Sequence, residues 1–87
     1  LAQHKSALKR VRSDARKRIR NRMIRSRTRT FVKKARATLA AGDAAAAREA
    51  TLRAIKELDK AVSKGVMHRN TAARYKSRLM KKLNALG

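Results

Sequence analysis

The first 41 residues contain neither glycine nor proline. Good helix formers dominate them, and a run of that length without a breaker has one regular solution, a single long helix. Its expected span is about residues 5–40. The stretch holds fifteen of the chain's 26 Lys/Arg residues and one of its five acids, Asp14, for a formal charge of +14. A helix this basic is a surface suited to a polyanion.

The apolar line on this helix changes sides. At 100° per residue, Leu8, Val11, Ala15 and Ile19 fall within about 80° of one another. Ile24, Thr28, Phe31, Ala35 and Leu39 make a second line, roughly opposite the first. Extended backwards, the second line meets Asn21, Lys17, Ser13, Arg10 and Ser6, all polar. The face that packs on protein therefore ends near Met23, and the first half of the helix overhangs the rest. The alternative is a kink near Asn21 that folds the first half back. Like charges also meet at i,i+4 six times, at Lys5/Lys9, Arg12/Arg16, Arg16/Arg20, Arg18/Arg22, Arg25/Arg29 and Arg29/Lys33. Together these pairs cost roughly 1–3 kcal/mol. Where packing is absent too, residues 1 to about 20 are expected to fray in the free protein and to become helical once phosphates neutralise them.

Punctuation comes at Gly42–Asp43 and again at Lys64–Gly65. Each glycine suits the left-handed position just past a helix end, and Asp43 suits an N-cap. A second helix is expected over 44–63, with Ala44, Ala47, Thr51, Ile55, Leu58 and Val62 as its inner stripe. Counted with its cap Asp43 it carries four bases and four acids, so it reads as a neutral scaffold with a solvated face turned away from the polyanion. A third helix is expected over about 69–86, capped by either His68 or Asn70. Its stripe is Ala72, Tyr75, Leu79, Leu83 and Leu86, and Arg74, Arg78 and Lys81 lie opposite. From Lys64 onward there are seven bases and no acid. The expected fold is all-α: an antiparallel three-helix bundle, one domain over 1–87, with the long N-terminal helix overhanging it.

Several function classes lose support. The chain has no cysteine, so neither a disulfide framework nor a cysteine-based zinc site is available, which fits a reducing cytosol. No apolar run approaches a membrane span, and no apolar segment of signal-peptide type follows the basic start. The two histidines, His4 and His68, are far apart, and the acids cluster on the second helix. No nucleophile–base pair, metal-ligand set or glycine-rich phosphate loop is recognisable, so neither an enzyme nor a cofactor is expected.

Nucleic-acid binding is supported instead. Arg16, Lys17, Arg18, Arg20, Arg22, Arg25 and Arg27 point in nearly every direction around the first helix. A helix lying on one duplex needs one charged side; a helix charged all round suits enclosure by several backbones, as in a compact folded RNA. With two aromatics, affinity must come from charge more than from base stacking. Tyr75 has two readings, stacking on a base or core packing, and its spacing with Leu79 favours the core; Phe31 reads as core. Ser6, Ser26, Thr28, Thr30 and Ser77 either bond phosphates or bond back to their own helix.

Three blocks are familiar: residues 4–10 (HKSALKR), 25–34 (RSRTRTFVKK) and 64–79 (KGVMHRNTAARYKSRL). The chain resembles the bacterial small-subunit ribosomal protein family numbered twenty, over its full length and most specifically in the third block. His4 departs from the Asn or other small polar group usual there. The resemblance implies a monomeric three-helix protein of the cytoplasmic ribosome. It would bind 16S rRNA directly, at the 5′ domain and the 3′ minor domain, with few or no protein contacts. Carried over, the rRNA contacts are Lys5, Ser6, Lys9, Arg10, Arg25, Arg27, Arg29, Thr30, Lys33, Lys34, His68, Arg69, Asn70, Arg74, Lys76, Ser77 and Arg78. The charge map adds Arg16, Lys17, Arg18, Arg20, Arg22 and Lys81. The runner-up is a DNA-compacting protein of histone-like type. A membrane-active cationic bundle ranks third, because the first helix lacks a wide apolar face with aromatics.

Overall fold

The computed structural model describes residues 2–86, with side chains from Ala7 onward. Three helices follow in order: α1 over Ala2–Ala41, α2 over Ala44–Ser63 and α3 over Arg69–Leu86. α1 begins three residues earlier and ends one later than its pattern suggested, and the bounds of α2 and α3 match. Forty residues at 1.5 Å each make about 60 Å of helix. The longest dimension of the molecule is 64 Å, against 20 and 13 Å for the other two. α1 is therefore unbroken and runs the length of the molecule, which rules out the fold-back at Asn21.

The turns use the expected chemistry. Gly42 and Gly65 have φ of 79° and 72°, the left-handed region that a Cβ disfavours. After α2, Gly65 N–H donates to the Val62 carbonyl (3.0 Å) and Val66 N–H to the Ala61 carbonyl (2.9 Å). This pair of bonds is the Schellman closure, and buried Val66 packs under it. Asp43 caps α2 by accepting from Ala46 N–H at 3.2 Å. The cap of α3 is His68, whose Nδ1 accepts from Asn70 N–H at 3.1 Å.

α2 lies between its neighbours and packs on both, while α1 and α3 share the smallest contact. The pairings are antiparallel: Arg27 of α1 meets Glu57, and Lys76 of α3 meets Asp59. The core joins Val32, Ala35 and Leu39 to Ala47, Ala54 and Leu58, and then to Ala72 and Leu79. Phe31, Val62, Met67, Tyr75 and Leu83 cover its edges. Ala47, Ala54 and Ala61 recur every seven residues and are fully buried, so helix backbones come close along that seam.

Three expectations on packing need correction. The buried face of α2 is turned by about 55° from the expected stripe: Ala54, Ala61 and Glu57 are buried, Ile55 and Val62 are half-buried and Ala44 is exposed. A helix squeezed between two others selects small residues at its centre and leaves branched ones to the flanks. The acids of α2 do not simply face solvent either, since Glu57 is buried against α1. Leu86, expected in the core, is exposed at the end of α3.

Candidate nucleic-acid interface

The overhang is visible in exposure. Among the described side chains, none before Thr28 is buried. Lys9, Arg10, Arg16, Lys17, Arg18, Arg20 and Arg22 project from this half of α1 and are exposed. Lys5 and Ser6, expected to contact rRNA, have side chains outside the described residues.

Further along, the cations of α1 separate into two groups. Along one side of α1, Arg18, Arg22, Arg25, Arg29, Lys33 and Arg36 follow one another at three- and four-residue steps, a row of about 27 Å whose members from Arg25 onward border α3. Arg18, Arg22, Arg25 and Arg29 surround Ser26 in a basic hollow. Arg25, Arg29, Lys33 and Arg36 then rim a groove of about 440 Å³, floored by Val32, Leu58, Val66 and Met67 and closed on the α3 side by Thr71 and Tyr75. The lining of this groove includes no acid. Tyr75 is half-buried, packed on the core as its spacing favoured, with the Arg36 guanidinium 5.7 Å from its ring centre.

On the other side, cations turn inward. Arg27 bonds Glu57 at 3.2 Å and lies 5.5 Å from the Phe31 ring centre. Arg53 reaches the same carboxylate at 3.5 Å and the same ring at 5.0 Å. Lys34 is 5.4 Å from that ring. Glu57 is thus held by one arginine of its own helix and one of α1, and its burial is matched by charge and hydrogen bonding. Lys76 is tied to Asp59 at 2.6 Å and pins α3 to α2. Two of the residues expected to meet phosphate, Arg27 and Lys76, therefore hold the bundle together in this structure.

α3 adds a second basic surface. Arg74 and Arg78 line a small hollow with Thr71 and Tyr75, next to the groove. Arg69, Asn70, Ser77 and Lys81 are exposed, as is His68. The hydroxyl candidates separate by geometry. Thr28 is buried and donates to the Ile24 carbonyl at 2.8 Å, so it does not reach the surface. Thr30 is exposed, but its proton goes to the Ser26 carbonyl at 2.9 Å, which leaves no hydroxyl donor for a phosphate oxygen.

Arg36 was missed by sequence reasoning. Its three-residue step from Lys33, continuing the step from Arg29, was the available signal. Among the described residues, no group of three or more His, Cys, Asp or Glu is placed to hold a metal ion. Nor is any of the described helices long and apolar enough to cross a membrane.

Fold and surface together define a class: a small helical protein bearing a cationic ridge suited to an extended polyanion. Comparison with known proteins makes this specific. The chain belongs to the ribosomal protein S20 family, which matches residues 2–84. It is 52% identical over 87 residues to a protein of Geobacter metallireducens, covering all of both chains. It is 55% identical over 82 residues to one of Thermomicrobium roseum, covering 94% of this chain and 83% of the relative. A relative from Caldanaerobacter subterraneus subsp. tengcongensis is 52% identical over 86 residues, covering 99% of this chain and 82% of its own. All three relatives are named small ribosomal subunit protein bS20. The family is a structural component of the ribosome and carries no enzymatic activity.

Proposed function

We propose that this chain is a structural constituent of the small ribosomal subunit that binds 16S rRNA and ties separate rRNA segments together. The observation that carries the reading is the row from Arg18 to Arg36: six cations on one side of α1, none of them in an ion pair among the described residues. Basic side chains so placed replace the counterions that otherwise keep RNA backbones apart. The overhang of α1 enters a cleft between RNA helices, and Arg74, Arg78 and Lys81 on α3 offer a second surface. Two surfaces on one rigid body favour a bridging role, with the 5′ domain and the 3′ minor domain as the segments joined. The whole chain acts as one monomeric rRNA-binding domain in the cytoplasmic ribosome, with few protein contacts. Lys5, Ser6, Lys9 and Arg10 extend the contact at the start of α1.

The test is a filter-binding competition at about 0.15 M salt, where interactions between distant exposed charges are screened. Labelled 16S 5′-domain RNA is challenged with excess duplex DNA and with an unrelated structured RNA. A complex that survives both competitors supports the reading. Complete displacement by either means that charge alone binds, and DNA compaction takes first place.

A further inference from the structure

The overhang carries something that a purely electrostatic contact does not need. Leu8, Val11 and Ile19 are 48%, 62% and 60% exposed and, with Ala15, stand in one line on successive turns. Single exposed aliphatics are ordinary. Here they are aligned, and they lie on the side of α1 opposite the line that packs on the bundle. Where the same outward line passes over the bundle it becomes Arg22, Ser26, Arg29 and Lys33. The apolar stretch therefore belongs to the overhang and is not left over from core packing. It is about 17 Å long.

Its cross-section identifies what covers it. Arg12 and Arg16 lie along one flank, Arg18 lies along the other with Asp14 beside it, and Arg22 stands at the end of the line itself. Across the helix the surface reads cation, apolar, cation. A second copy of the chain, at +21, is repelled by those flanks. A bilayer wants a wider apolar face with aromatics. The shallow groove of an RNA duplex has the matching profile. Two phosphate ridges border a wide floor of ribose faces and base edges, shallow enough for short aliphatic side chains to reach.

We propose that Leu8, Val11, Ala15 and Ile19 seat in the shallow groove of an RNA duplex, against its riboses, while Arg12 and Arg16 hold one phosphate ridge and Arg18 the other. This rests on the rRNA-binding reading and adds a contact that releases no counterion. Its signature follows: the apolar line contributes affinity that salt does not screen, whereas the arginines set the salt slope.

The experiment uses the full chain and 16S rRNA, comparing wild type with the triple variant Leu8→Ala/Val11→Ala/Ile19→Ala and with Ile19→Ala alone. Alanine keeps the charge and favours the helix. The triple variant is expected to bind about 30-fold more weakly at every salt concentration with an unchanged slope, and Ile19→Ala about threefold more weakly. Thermal unfolding of the bundle stays the same, because these side chains touch no core. Triple-variant binding within about twofold of wild type overturns the proposal, as does a loss that appears as a shallower slope. Loss of self-association or of binding to anionic vesicles, with rRNA binding intact, assigns the line to another partner. A wild type with no preference for rRNA brings down the functional reading and this proposal together. A wild type that prefers rRNA while the triple variant matches it brings down this proposal alone.

Discussion

The two halves of α1 are similar in composition and different in what supports them. From Ala7 to Met23 there are eight Lys/Arg residues, and from Ile24 to Ala41 six. Neither half contains a breaker. Yet the second half buries Thr28, Val32, Ala35 and Leu39 against the bundle, and the first buries nothing among its described side chains. Charge determines what a helix of this kind meets; the apolar line determines what it leans on. The second half takes its stability from α2 and α3. The first half must take it from a ligand, because repulsion between its arginines opposes the helix and no packing offsets it.

The largest expected contrast is in stability. Leu58 is fully buried beneath α1, and Leu58→Ala is expected to cost about 3 kcal/mol in urea unfolding. Ile19→Ala, on the overhang, is expected to change stability by less than about 0.5 kcal/mol. Equal costs would mean that the overhang has a protein partner. Binding gives the next contrast. The double variant Arg25→Ala/Arg29→Ala removes two neighbouring cations from the row facing α3. It is expected to lower the slope of log K against log salt by about 1–2 while leaving the bundle folded. An unchanged slope would remove that row from the interface. Helix content tests the comparison directly. Far-UV circular dichroism of the free chain is expected to show less helix than the 2–41 span of α1 requires, and adding 16S 5′-domain RNA should restore it. No gain on binding would show that the overhang is helical by itself. The smallest effect lies in the core. Thr51 Oγ1 is buried without a hydrogen-bond partner, and Thr51→Val is expected to stabilise the bundle by about 1 kcal/mol in the same urea assay.

Helix boundaries were legible because the chain punctuates itself with glycine. Gly42 and Gly65 sit where backbone conformation requires them, and α1 has no competing break. The side-switch near Met23 was legible from periodicity alone. The neighbours of α2 were not. Glu57 reads locally as a surface acid four residues from Arg53, and its second arginine is thirty positions away on α1. The rotation of α2 toward Ala54 and Ala61 was hidden for a similar reason, since a preference for small residues arises when two helices press from both sides. At the interface, the cations could be counted but not sorted. That Lys76 is tied to Asp59 while Arg74 and Arg78 face outward depends on how α3 docks, which no single-helix pattern contains.

That α1 is one unbroken helix has a consequence for the spacing of whatever it binds. A continuous helix transmits rotation as well as distance from one end to the other. Removing one residue near Asn21 shortens the reach by about 1.5 Å but swings the whole overhang by about 100° relative to α3. Removing seven shortens it by about 10 Å and turns it by only about 20°. The row beside α3 and the apolar line of the overhang are therefore held in phase, like teeth cut on one shaft. A partner contacting both reads the angular register of α1 more strictly than its length.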